Sequence, residues 1–250
     1  MPPRIVAVIQ ARMGSKRLPG KVLQDIAGAP MVIRVAERSA QAGRIEDVIV
    51  ATTNLPPDQS VADACRERGF ACYRGSASDV LDRFFRAARQ AQAEVVVRIT
   101  GDCPLIDPAV IDLTVDAFLE AAPPVDFAAN RLPDGRTFPI GLDTEVASIR
   151  ALERAWNEAT EPYEREHVMP YLYDSPGRFR ILRVDHSENL GHLRWTVDTA
   201  DDLEFVRRVY AAFPGRTDFS WQEVLKLMED HPELAAINAG VAHRTFTDAE

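Results

Sequence analysis

Cysteine is scarce in this 250-residue chain: Cys65, Cys72 and Cys103 are odd in number and show no CxxC spacing. That argues against a disulfide framework or a structural zinc site, and the three thiols read as reduced and partly buried. No apolar run approaches the roughly 18–20 residues of a transmembrane helix. Charges also crowd the short apolar segment of MPPRIVAVIQARMG too closely for a signal peptide. The mature chain is expected to begin near Met1, to stay in the cytoplasm and to meet no membrane. Positive charge is in deficit, with 29 Lys+Arg against 38 Asp+Glu and a net charge of −9, so no nucleic-acid partner is expected. Internal repeats, low-complexity segments and long linkers are missing as well. What remains, 46% hydrophobic and 27% charged residues, is the composition of an ordinary globular protein able to bury a core without staples.

Over the first half, β-branched runs alternate with amphipathic stretches, the pattern of βα units on a mostly parallel sheet. Strands are expected at residues 5–9, 47–51, 71–73 and 94–99. Helices are expected from Pro30 toward Arg38, from Pro57 to a stop at Gly69, through residues 80–88, and after Asp107-Pro108. From Ala122 to Thr144 the prolines at 123, 124, 133 and 139 and the glycines at 135 and 141 predict a loop-rich excursion or small antiparallel unit, which leaves room for a lid, a pocket or a dimer arm. Helices over 148–157 and 161–173, strands over 178–184 and 192–197, a helix from near Thr199 and a helical tail complete the reading. One domain is expected, with a first half over 1–121, a second half over 122–213 and a helical tail over 214–250.

The most informative segment follows the first strand, Gln10-Ala11-Arg12-Met13-Gly14-Ser15-Lys16-Arg17-Leu18-Pro19-Gly20-Lys21. Ligands of α/β proteins bind at the carboxyl ends of parallel strands, and this loop gathers four cations with glycine and serine in an acidic chain. Such a loop suits a polyphosphate better than a solvated turn would require. It is not a P-loop: five residues separate Gly14 from Gly20-Lys21 where the Walker pattern has four, and Val22 stands where a magnesium-binding Ser/Thr would be. GxGxxG is also absent, so a metal must be held elsewhere. Asp102 and Asp198 both end predicted strands and are the metal candidates, since one or two carboxylates plus substrate phosphates usually hold Mg²⁺. Asp198 reads equally well as the N-cap of the next helix.

IQARMGSKRLPGKVL, GSASDVLDRF, VRITGDCPLID, EREHVMPYL and HLRWTVDTADDLEFV occur in that order, and over roughly residues 4–213 the chain resembles the spore coat polysaccharide biosynthesis protein SpsF family. That family is similar to the cytidylyltransferases that make CMP-activated sugar acids such as Kdo and acylneuraminate. The resemblance implies an α/β nucleotide-diphospho-sugar transferase fold, GT-A-like and Rossmann-like, with three layers around a mixed, mainly parallel sheet. It implies triphosphate-binding roles for Arg12 and Lys21, supported by Arg17 and the amides around Gly14 and Ser15, with Gln10 and Ala11 at the head of the loop. Asp102 and Asp198 match the family's Mg²⁺ ligands, and Asp82 and Arg83 match an element lining the nucleotide pocket. The implied activity is transfer from CTP to a sugar or sugar acid, releasing pyrophosphate, for surface polysaccharide synthesis.

The acceptor side is read from residues. Asp143 and Glu145 are two apart, so in a strand both would face one side and meet sugar hydroxyls, or else a polar edge. Glu164, Glu166 and His167 would place a carboxylate and an imidazole on neighbouring turns and Arg165 would pair with an acidic sugar, with a solvated helix face as the plain alternative. Trp195 reads as core, Cys103 as no nucleophile, and His186 and His192 as surface residues. Two other functions compete: a glycosyltransferase of the same architecture, which usually carries the Asp-x-Asp that this chain lacks, and a noncatalytic nucleotide-binding scaffold. The loop-rich middle leaves room for the arm of a homodimer.

Overall fold

A computed structural model describes residues 2–242. In chain order its first half comprises β1 (Ile5–Gln10), β2 (Asp25–Ile26), β3 (Ala29–Pro30), α1 (Met31–Ser39), β4 (Asp47–Thr53), α2 (Gln59–Glu67), β5 (Ala71–Gly75), α3 (Val80–Gln90), β6 (Val95–Thr100) and α4 (Pro108–Glu120). There follow β7 (Phe127–Ala129), β8 (Arg131–Leu132), β9 (Gly135–Arg136), β10 (Glu145–Ser148), α5 (Ile149–Glu158), α6 (Pro162–His167) and α7 (Pro170–Tyr173). The chain continues through β11 (Ile181–Arg183), α8 (Ala200–Ala212), α9 (Trp221–Asp230) and α10 (Glu233–Ile237).

Seven strands form one sheet in the order β11-β7-β10-β6-β1-β4-β5. β1 pairs in parallel with both β4 and β6, and only β10 runs against its neighbours. Ile5, Val6, Ala7, Val8 and Ile9 are all buried, because a parallel strand covered by helices on both faces has no wet side and is written in continuous apolar residues. One face is packed by Val32 and Val35 of α1, Val61 and Cys65 of α2 and Ile111 and Val115 of α4. The other is packed by Phe84 of α3, Leu152 of α5 and Leu172 of α7. From β1 the chain winds outward through β4 to β5 and then returns to the opposite side of β1 as β6. That reversal opens a crevice beyond the carboxyl ends of β1 and β6, the position where open α/β sheets bind ligands.

Local signals explain most of the boundaries. Asp79, Ser148, Thr199 and Ser220 cap α3, α5, α8 and α9 through their side chains, meeting amide donors that a helix start leaves unpaired. Pro30 precedes α1 rather than opening it, and Pro57 lies in a 3-10 turn so that α2 begins two residues later. The stretch 161–173 is two short helices, broken where Val168 takes φ 73°; Pro170 then starts afresh, since its ring cannot continue a helix interior. The excursion after Ala122 supplies β7 to the main sheet and a two-strand hairpin, β8–β9. The expected strand over 192–197 is absent from the ladders and makes one bridge, Ile140 to Arg194. Its backbone is shared between two loops instead: Trp195 donates to Ile140 at 2.7 Å and Val197 donates to the Asp102 carbonyl at 2.8 Å.

Two devices fix the carboxyl-terminal third. The wholly buried Arg38 of α1 donates to the carbonyls of Ile106 (2.6 Å), Thr217 (2.6 Å) and Phe219 (2.9 Å), tying the segment before α9 to the β6–α4 loop. Gly141 has φ 111°, and a Cβ there would lie 2.7 Å from the backbone of Trp195 and Thr196. Only glycine permits this approach, which sets the strand-like segment leading to Asp198. Gly141→Ala is therefore expected to cost at least about 1–3 kcal/mol, a fall in melting temperature of roughly 2–4 °C per kcal/mol for a chain of this size, read by thermal unfolding.

Candidate active site

The loop after β1 is held by its backbone. Met13 donates to the buried carboxylate of Asp58 at 2.6 Å, Gly20 returns to the Met13 carbonyl at 3.0 Å, and Gly20 itself takes φ 70°. A 3-10 turn then carries Lys21 inward, where its side chain is 10% exposed. The loop after β6 comes equally close: Gly101 donates to the Gln10 carbonyl at 2.8 Å, and a Cβ on it would lie 2.9 Å from that of Ala11.

Three segments distant in sequence meet at Lys21. Its Nζ donates to Asp102 Oδ2 at 2.7 Å, Asp198 Oδ1 at 2.8 Å and the Val197 carbonyl at 2.8 Å. The other oxygen of Asp198 accepts from Arg194 and pairs with Arg17, both at 2.8 Å. Burial opposes both charges here, yet it is outweighed: the two carboxylates raise Lys21, while Lys21, Arg194 and Arg17 hold Asp198 down at about 2. Asp198 is not a helix cap. Thr199 caps α8 in a reciprocal box with Asp202, which leaves the Asp198 carboxylate turned to the cations.

Two cavities open on this cluster, of about 320 and 310 Å³, and share Arg17, Thr100, Asp102 and Asp198 as a common wall. The first is lined by Gln10, Ala11, Arg12, Gly14, Ser15 and Lys21, with Arg83 at its floor. Arg83 is 1% exposed, pulled down to about 10 by burial and by repulsion from Arg12, and its Nε has no hydrogen-bond partner. Its Nη1 donates to the Ser76 carbonyl and Asp58 and Asp79 offset part of its charge, while the unpaired Nε leaves a donor for an anion in the space it faces. Asp82, its predicted companion, does not line the cavity; its Oδ1 accepts from Trp156 at 2.9 Å and Arg86 at 2.8 Å. The helical period explains this, since adjacent residues point about 100° apart.

The second cavity receives Asp143 and His167 but not Glu145, Arg165 or Glu166. Residue 143 precedes β10, so the two acidic residues do not share a strand face: Asp143 accepts from Arg136 at 2.7 Å, while Glu145 is buried against Arg98, its cross-strand partner. Arg165 donates to the Trp156 carbonyl at 2.7 Å and pairs with Asp79, stapling α6 to the start of α3. Glu166 stands exposed, 3.8 Å from Arg12. Sequence reasoning passed over Arg98, Arg131, Arg136, Tyr173 and Thr196, which also line this cavity; no local spacing links them, because β6, β8, β9 and α7 converge only in the fold. Trp195 is wholly buried core, His192 is exposed, and His186 packs against Phe138 and Trp221. Burial, then Asp102 and Asp143, push the Cys103 thiol well up, so it stays protonated.

No group of three or more His, Cys, Asp or Glu gathers at a metal-binding point among the described residues. The two carboxylates nevertheless converge within hydrogen-bond reach of one cation, Lys21 Nζ. Hard carboxylate oxygens beside space for phosphates fit a cation such as Mg²⁺, which is commonly held by one or two protein carboxylates.

A cationic crevice whose wall carries paired carboxylates, set at the switch point of a mixed α/β sheet, places the chain among the nucleotidyltransferases. The chain belongs more narrowly to the cytidylyltransferase family, whose model matches residues 6–233. It is 29% identical over 238 residues to the spore coat polysaccharide biosynthesis protein SpsF of Bacillus subtilis, covering 92% of this chain and 96% of that one. To a 3-deoxy-manno-octulosonate cytidylyltransferase of Anaeromyxobacter dehalogenans it is 32% identical over 245 residues, covering 83% and 98%. The solved structure of a cytidylyltransferase from Leptospira borgpetersenii serovar Hardjo-bovis superposes with a TM-score of 0.89 at 32% identity, covering 96% of this chain and all of that one. Membership of this family sets aside the glycosyltransferase and scaffold readings. No described helix is long and apolar enough to cross a membrane.

Two outcomes follow from the cluster. Lys21→Met leaves Asp102 and Asp198 facing each other with only Arg17 and Arg194 in compensation, so urea unfolding is expected to register a loss approaching about 3–5 kcal/mol. His167 is lowered from its ordinary value by burial first and by Arg98 and Arg131 after it. Its imidazole is therefore neutral at pH 7, and an NMR titration should find its midpoint below 6.5.

Proposed function

We propose that the protein transfers the cytidylyl group of CTP to a sugar or sugar acid with Mg²⁺, releasing pyrophosphate, in surface polysaccharide synthesis. The observation that carries this reading is the wall shared by the two cavities: a cationic crevice on one side, an acceptor-sized space on the other, and both aspartates between them. The similarity to the spore coat polysaccharide biosynthesis protein SpsF and to the 3-deoxy-manno-octulosonate cytidylyltransferase supports the choice of CTP and of a polysaccharide precursor. On this reading residues 1–121 handle the nucleotide, 122–213 bring the acceptor and the second carboxylate, and 214–242 belong to a tail that Arg38 ties down.

The acceptor hydroxyl oxygen bonds to the α-phosphorus, the bond from that phosphorus to the bridging oxygen of pyrophosphate breaks, and the hydroxyl proton passes to solvent. Such a reaction needs positioning and charge neutralisation more than a protein nucleophile. Arg12, Arg17 and Lys21 neutralise the triphosphate and the departing pyrophosphate, and the amides around Gly14 and Ser15 let phosphate oxygens approach the backbone. Arg83 adds a buried charge at the floor of the crevice. Asp143 and neutral His167 offer acceptors to sugar hydroxyls. Asp102 and Asp198 would hold Mg²⁺, which when bound screens phosphate charge and lowers the pKa of a coordinated hydroxyl.

Pyrophosphate release is the test, with each of the four nucleoside triphosphates, Mg²⁺ and a panel of sugar acids and sugar phosphates. CTP is expected to exceed the other three. Arg12→Ala and Asp102→Asn should each lower turnover by on the order of 10²–10³, the usual cost of one such contact. If no combination exceeds the Asp102→Asn background, the assignment is wrong.

A further inference from the structure

Asp58 has the position and the chemistry of a helix cap and caps nothing. It stands at the N-cap of α2, where an aspartate side chain ordinarily accepts from an amide of the first turn, yet its carboxylate makes no such bond. It is turned the other way and is 3% exposed. Oδ1 accepts from the Met13 amide, 45 residues away in sequence, at 2.6 Å, and Oδ2 accepts from the Thr53 hydroxyl at the end of β4. That hydroxyl accepts in turn from the Leu55 amide at 3.2 Å, and the Asp58 amide returns to the Leu55 carbonyl at 3.1 Å. Pro56 and Pro57, each with φ fixed by its ring, fill the turn between them, so the carboxylate is mounted on a stiff platform.

Met13 is the pivot of the cationic loop. Its carbonyl accepts from Ser15 at 2.9 Å and Gly20 at 3.0 Å, its side chain packs into the apolar core, and its two neighbours, Arg12 and Gly14, line the first cavity. Asp58 holds the remaining polar group of this residue, its N–H. The same carboxylate helps keep the Arg83 guanidinium at the cavity floor charged. Asp58 thus acts on the loop and on the floor of the crevice while standing outside its lining.

We propose that Asp58 is a positioning residue for the phosphates: by fixing the Met13 amide it sets Arg12 and the amides of Gly14 and Ser15 in place before a triphosphate arrives. This rests on the reading of the first cavity as the triphosphate site. By Coulomb's law alone a carboxylate beneath the loop opposes a polyanion, so removing its charge would tighten binding. Positioning predicts the opposite sign. An amide bonds more strongly to a carboxylate than to a neutral acceptor, and a loop already in its bound conformation loses less freedom when the ligand binds.

Calorimetry of CTP and of CMP on the whole protein with Mg²⁺ reads that sign. Asp58→Ala leaves the Met13 amide unheld and is expected to weaken CTP about 10- to 100-fold while CMP changes by less than about threefold, so the preference for the triphosphate collapses. Asp58→Asn keeps an acceptor for the amide without the charge and is expected to weaken CTP by a smaller factor, about 3- to 10-fold. Thermal unfolding runs alongside, because Asp58→Ala also strips a buried hydroxyl of its partner. Lost folded protein lowers the fraction of sites titrated, whereas a misplaced loop raises the dissociation constant of the sites that remain; if Asp58→Ala does not fold, the sign of the change in Asp58→Asn decides. The proposal is overturned if a folded variant binds CTP as tightly as the parent or more tightly, or if CTP and CMP weaken by the same factor. A parent protein that binds no CTP takes the triphosphate reading down as well. Pyrophosphate release in the same samples keeps the claims apart: CTP binding that depends on Asp58 without any pyrophosphate contradicts the transferase reading alone.

Discussion

The ammonium of Lys21 lies between two carboxylates that repel one another, and the functional half of the molecule is arranged around that fact. Asp102 arrives at the end of β6, Asp198 at the start of α8, and Lys21 from a loop that follows β1. Their meeting point is the crevice made when the sheet reverses its winding between β1 and β6. Each carboxylate alone would suffer from its burial; with Lys21 between them, and Arg17 and Arg194 behind, Asp198 remains ionised far below neutrality. Both aspartates also stand in the wall that the two cavities share.

Glycine sets the tolerances of this arrangement. Gly101 lets the β6 loop lie against Ala11, and Gly141 lets the excursion lie against the backbone of Trp195 and Thr196. The price falls on the segment before Asp198, which forms no ladder and is held by isolated backbone hydrogen bonds to Ile140 and Asp102.

Much of the fold was legible because its signals are local. Continuous apolar runs marked β1, β4 and β6, while the cap of α8 reads one residue early in the sequence, at Asp198 instead of Thr199. The cationic loop was legible for the same reason, since its residues are contiguous. Predicted strand ends suggest both Asp102 and Asp198, and the resemblance then matches them, although in the fold Asp198 sits at the end of no strand. The acceptor side was hidden. Glu145 and Arg165 have the right chemistry but are consumed by Arg98 and Asp79, and adjacency misled for Asp82, which turns to Trp156 while Arg83 turns to the crevice. Arg131 and Arg136 reach the second cavity only through a short hairpin, a relation that no sequence spacing encodes.

The central claim is that nucleotide and metal meet at Lys21, Asp102 and Asp198. Titration of CTP into the protein by calorimetry, with and without Mg²⁺, tests it most directly. Binding should strengthen with Mg²⁺, and that gain should vanish in Asp198→Asn while metal-free binding persists through Arg12, Arg17 and Lys21. CTP binding that ignores Mg²⁺ in the parent protein, or a Mg²⁺ gain that survives in Asp198→Asn, would contradict the account.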